Sequence, residues 1–170
     1  MTDDTADLRA RLRAHFALDP DIASVTFVGL QPIDVLRFGP DDAGITHFVS
    51  VGGSRHFDEG PPTEVVMRLR ATSTFEGLAR SVAVLAASPA VEGVVLGADA
   101  LVDLGQPLWR GAPFTAVLLG DSGIGILAGV KFLEAIPITA NEAAWVRLKG
   151  GEEMRQAWRQ DGVDVLDPGR

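Results

Sequence analysis

Apolar and polar residues along this chain follow two rhythms, one of period four and one of period two. Near the N-terminus Leu8, Leu12 and Phe16 recur every four residues while Arg9, Arg11 and Arg13 point elsewhere, which predicts a helix over residues 3–18. Asp3 and Asp4 stand at its start, where negative charge suits the helix dipole. The segments SVTFVGL (24–30), PIDVLRF (32–38) and ITHFVSV (45–51) then read as strands. In the last of these Ile45, His47, Val49 and Val51 share a side. TEVVMRLRA (63–71) alternates too. It predicts Val65, Met67 and Leu69 inward and Glu64, Arg68 and Arg70 outward, the mark of an antiparallel sheet with one wet face.

The rhythm returns to four in residues 73–88. Ser73 and Glu76 have the spacing of a capping box, Phe75, Leu78, Val82 and Leu85 form one stripe, and Pro89 is expected to close the helix. Residues 91–113 are less regular and predict short strands joined by turns. FTAVLLG (114–120) and GVKFLEAIPI (129–138) predict two more strands with a glycine-rich turn between them. Thr139 and Glu142 form a second capping box, preceded by Ile138 in the place of a hydrophobic staple. Gly150 and Gly151 break that helix, and a last short one carries Met154 and Trp158 four apart. Segregated runs of strands and helices predict an α+β fold. The expectation is a single domain over 1–170, with a mixed, mostly antiparallel sheet flanked by helices. Helix 3–18 comes first, sheet and helices fill 24–161, and a short tail ends the chain.

Composition narrows the function. The 170 residues include no cysteine, which excludes disulfides and thiolate zinc sites. The first residues carry two aspartates and no apolar segment, unlike a signal peptide. The most apolar window is interrupted by Pro89, Glu92 and Asp99, short of the ~20 apolar residues that a bilayer span requires. These features predict a cytoplasmic protein with no membrane partner. A net charge of −8, with Lys and Arg totalling 15 and scattered, repels phosphate backbones and argues against nucleic acid. It suits a basic protein partner.

Candidate chemistry concentrates in LLGDSGIGILAGVK, residues 118–131. Its GDSG resembles the nucleophile motif of trypsin-like proteases, but Ser122 is followed by Gly-Ile-Gly and no histidine lies in the matching context. Gly123, Gly125 and Ala128 have the spacing of a dinucleotide turn, but no long helix follows, because Pro137 arrives too soon. The glycines read as turn formers. His15, His47 and His56, with Asp58 and Glu59, match no metal-ligand spacing. No catalytic, cofactor-binding or metal residues are assigned. Two stretches suit protein recognition instead. HFDEGPP (56–62) offers His56, Asp58 and Glu59, and QPLWRGAP (106–113) offers Trp109 and Arg110, a pairing typical of interaction hot spots.

The succession ITHFVSVGGS, TEVVMRLR, FEGLARSVAVLA, QPLWRGAPFTAVLL and VKFLEAIPITANEAAWVRLKGGEEM, ending DVLDPGR, resembles the suppressor-of-fused-like domain family from Ile45 to Arg170. VKFLEAIPITANE carries most weight, being similar to the family's late strand that runs through an Ile-Pro turn into a capped helix. The resemblance implies an α+β binding module without catalysis. It also implies, through bacterial single-domain relatives, an immunity or antitoxin protein that neutralises a partner toxin. Two other readings stand beside it. One is a small hydrolase using Ser122 with His47 or His56 and an aspartate. The other is a structural or regulatory homodimer.

Overall fold

The period-four rhythm at the N-terminus becomes α1, Asp4–Phe16, with Leu8 and Leu12 fully buried. Each such burial stabilises by about 1.5–3 kcal/mol. The computed structural model describes residues 4–57, 60–70 and 75–170. Seven strands follow: β1 (Asp21–Val25), β2 (Ile33–Phe38), β3 (Ile45–Val51), β4 (Thr63–Arg70), β5 (Leu101–Asp103), β6 (Phe114–Leu127) and β7 (Val130–Thr139). They form one sheet in the order β1-β2-β3-β4-β7-β6-β5. Neighbours are antiparallel except β4 and β7, which run parallel. The sheet is therefore mixed and mostly antiparallel, as the strand runs predict.

Helices cover both faces. On one lies α2 (Leu78–Glu92), packed on Val35, Val65, Met67 and Leu69 and joined by Trp109 and Phe114. On the other, α1 covers Leu36, Phe38, Val49, Val66 and Phe132. Beside it, α3 (Ala140–Lys149) and α4 (Gly151–Asp161) cover Ala116, Leu118 and Ile138. The expectation of one wet face is thus corrected. Val66 and Glu64 share the supposedly outward side of β4, and both are buried: α1 lays Leu8 and Leu12 over Val66, and the turn after β3 closes over the Glu64 carboxylate.

Four boundaries also differ from the sequence reading. β1 lies at Asp21–Val25, and residues 26–30 turn away from it, closed by Leu30 N–H donating to Phe27 O at 3.2 Å. α2 starts at Leu78 behind Gly77, so Glu76 precedes the helix, while Ser73 lies outside the described residues. Pro89 does not end α2, which continues to Glu92. A proline there removes the N–H that Leu85 O would have accepted, and Ser88 Oγ supplies the missing donor at 2.7 Å. The glycine-rich stretch is mostly strand. β6 runs through it to Leu127, with a register shift between Asp121 and Ile126, and the turn is confined to Ala128 and Gly129. Both have positive φ, 51° and 77°, the conformation of the two-residue hairpin turns that match strand twist.

The second capping box stands as predicted. Thr139 accepts from the Glu142 N–H, and Glu142 reaches back to the Thr139 N–H at 3.0 Å. Glu142 Oε2 also accepts from Trp158 Nε1 at 2.6 Å and Arg170 at 2.8 Å. One carboxylate therefore ties the start of α3 to α4 and to residue 170. Burial pushes its pKa up, but the bonds from Arg170, the Thr139 N–H and Trp158 outweigh that and leave it lowered.

Candidate functional site

Three places could hold function, and each is built from its own elements. The first is the segment after β3. A short 3-10 turn, Gly53–His56, follows Gly52 and is held from below by Glu64 of β4. Glu64 is fully buried and accepts five hydrogen bonds. Its Oε2 takes Gly52 N–H (2.8 Å), Ser54 N–H (3.0 Å) and Ser54 Oγ (2.7 Å), and its Oε1 takes Ser50 Oγ (2.6 Å) and Gly53 N–H (3.2 Å). Burial raises its pKa and these donors oppose the rise without cancelling it. Sequence reasoning placed this residue in solvent. The legible signal was Gly-Gly-Ser, three small residues with free N–H groups, ending a strand next to an acid-bearing one. The turn delivers His56, whose Nε2 is buried without a hydrogen-bond partner among the described residues. Asp58 and Glu59 lie outside the described residues.

The second place is the segment of Trp109 and Arg110. Trp109 is 7% exposed and packs edge-on to Phe75 (centroids 5.2 Å apart) and against Phe114 (5.6 Å). It is a core residue in this structure, not a side chain presented to a partner. Arg110 is exposed and pairs with Glu76 at 3.3 Å. Together with Arg80 and Gln106 they line a groove of about 440 Å³ beside the start of α2.

The third place bears on catalysis. A small cavity of about 140 Å³ is lined by His15, His47, Arg68 and Ser122 among others. His47 Nε2 lies 2.9 Å from Asp41 Oδ2, and that bond holds the Asp41 pKa below its ordinary value. A hydroxyl, an imidazole and a carboxylate thus share one neighbourhood. Their hydrogen bonds run elsewhere, however. Ser122 Oγ donates to Phe132 O at 2.6 Å and accepts from Gly125 N–H at 3.3 Å. A nucleophile needs its proton aimed at the base, and here the proton goes to a strand carbonyl. Phe16 packs on the His47 ring at 4.8 Å. Ser122 secures the irregular part of β6 to β7. His56 sits on the 3-10 turn and is not among the residues lining this cavity. Among the described residues, no group of three or more His, Asp or Glu could hold a metal ion, and no helix is long and apolar enough to cross a membrane.

Fold and polar groups together define a class: an α+β domain with a seven-stranded mixed sheet, in which buried polar side chains brace turns and helix ends. Residues 29–170 match the family of Suppressor of fused protein (SUFU), and the chain belongs to that family. Solved structures share the fold. A SUFU homolog from Neisseria gonorrhoeae superposes with a TM-score of 0.79 at 18% identity, covering 99% of this chain and 95% of that one. The Sufu-Fu complex gives 0.70 at 15% identity, covering 95% and 85%. Drosophila Suppressor of Fused gives 0.72 at 16% identity, and this chain, 97% covered, spans 50% of that protein. No curated protein sequence matches the chain.

Proposed function

We propose that this protein is a non-catalytic protein-binding domain, of the immunity or antitoxin kind, that masks a basic partner in the cytoplasm. The observation carrying this reading is membership of the SUFU family, whose fold recurs in a structure solved as the Sufu-Fu complex, a protein bound to a protein. The net charge of −8 supports a basic partner, because opposite charge speeds encounter and rejects wrong partners. The Ser122 hydroxyl, committed to Phe132 O, supports the absence of catalysis. His56, Asp58, Glu59 and Arg110 are carried forward as contact residues, and Trp109 as the packed support beneath Arg110.

The experiment is capture from the native host with the intact chain as bait, followed by co-expression of the captured protein with and without it. Growth arrest by the captured protein, relieved by this chain, is the expected result. A captured protein that is harmless alone overturns the immunity role. A chain that captures nothing and hydrolyses ester probes through Ser122 overturns the binding reading altogether.

A further inference from the structure

On the α2 side of the sheet the helix reaches β1, β2, β3 and β4. A groove of about 830 Å³ remains beyond its first turn. Its floor is apolar, made by Ala23 of β1, Val35 of β2 and Phe48 of β3, and its wall by Phe75 and Ala79. Thr46 also lines it, 3% exposed, with an Oγ1 that has no hydrogen-bond partner among the described residues. β1 is an end strand of the sheet, and among the described residues nothing pairs along its outer side. Ile22 of β1 lines the groove and is 48% exposed, and Leu18, before the strand, is 38% exposed.

The rim is acidic. Asp21 and Glu76 line the groove, each in an exposed ion pair, with Arg37 and Arg110 respectively. Asp19 stands two residues before Asp21, and Asp42 two residues after the lining residue Pro40. Both are exposed and have no ion-pair partner among the described residues. Asp41 is occupied by His47. Two carboxylates thus line the groove opposite Arg37 and Arg110, and Asp19 and Asp42, close by along the chain, add two unpaired ones. The exposed pairs are worth little, so an incoming cation can replace either arginine. An apolar floor under a charged rim is the anatomy of a protein interface, and the volume falls in the ~300–1,000 Å³ range of enclosing sites.

We propose that this groove takes a basic segment of the protein partner. An apolar side chain of the segment rests on Phe48 and Phe75, and flanking lysines or arginines reach Asp19, Asp21, Asp42 and Glu76. Long basic side chains suit the place, because their stems lie on apolar surface while their heads stay at the rim. The proposal rests on the protein-binding reading and adds where, and for what chemistry.

The test uses the full chain and a synthetic twelve-residue peptide of alternating lysine and leucine, with amide chemical shifts as the readout. Shifts are expected at β1, Thr46, Phe48 and Ala79. The double variant Asp19→Lys with Asp42→Lys should bind about tenfold more weakly or worse, equivalent to about 1.4 kcal/mol. Asp161→Lys on α4 should bind as the parent does. Shifts that map elsewhere, or equal weakening by Asp161→Lys, overturn the groove, the second outcome marking mere charge attraction. The native partner separates the two levels. If the parent chain and the double variant capture it equally, the groove is wrong and protein binding stands. If the peptide binds in the groove but neither chain captures a protein, protein binding is the reading that fails.

Discussion

Replacing Glu64 with leucine, close in volume and unable to accept a hydrogen bond, tests the account of the segment after β3. Of the five donors that meet this carboxylate, the hydroxyls of Ser50 and Ser54 can turn to other acceptors. The N–H groups of Gly52 and Gly53 are buried and fixed by the backbone. An unmet buried donor costs about 1–3 kcal/mol, so the pair costs about 2–6 kcal/mol. Part is recovered, because leucine ends the burial of a carboxyl whose pKa desolvation raises. A net loss of about 2–4 kcal/mol is expected, which for a domain of this size lowers Tm by roughly 4–16 °C. That is a large share of the ~5–15 kcal/mol that holds a domain folded. Thermal and denaturant unfolding of Glu64→Leu measures it, with Glu64→Gln as the control that keeps one acceptor and loses less. Leucine within 0.5 kcal/mol of the parent would refute the reasoning. The sign with pH follows from the raised pKa. The folded state favours the protonated acid, so this group's contribution is full below the ordinary value of 4.5 and falls as pH rises through its higher folded value. The stability gap between parent and Glu64→Gln should narrow from pH 4 towards neutrality.

Three further outcomes are expected. Gly53→Ala should destabilise by at least about 1 kcal/mol in denaturant melts, because a Cβ there would lie 2.6 Å from Ala86 O of α2. Thr139→Ala should cost about 1 kcal/mol in the same assay through the lost cap of α3, and an unchanged melt would show that Glu142 alone holds the helix start. Arg170→Ala should cost about 2–4 kcal/mol, since its guanidinium bonds Glu142 and Pro137 O and lies 5.1 Å from the Phe114 ring centre and 5.4 Å from that of Trp158. The lowered Glu142 pKa makes part of that contribution present above its ordinary 4.5 and lost as pH falls through the folded value, so the parent should weaken in acid more than the variant does.

Elements whose signal is local were legible in the sequence. The stripe Leu8–Leu12–Phe16, the alternation through β3 and β4, and the Thr139–Glu142 box each depend on residues within one or two turns, whose spacing is the structure. The same locality exposed the protease and dinucleotide patterns around Ser122 as lacking their context. What stayed hidden depends on who arrives across the sheet. Val66 looks outward until α1 covers it, and Glu64 until the turn after β3 folds over its carboxylate. Trp109 looks like a contact residue until Phe75 and Phe114 close on it. Pro89 looks like a stop until Ser88 replaces its missing donor. The long strand through 118–127 was concealed by its own glycines, which favour turns in isolation; here Gly120 pairs with Glu134 of β7, Gly123 and Gly125 sit in an irregular stretch, and pairing resumes at Ile126. The acidic groove has the same origin. Asp21, Arg37 and Glu76 are separate charges along the chain, and they line one groove because β1, β2 and the segment before α2 meet at one end of the sheet. Spacing determines helices, caps and alternation, because those energies act over a few residues. Burial, and the gathering of charge around a cavity, are decided by contacts that exist once the strands have found their neighbours.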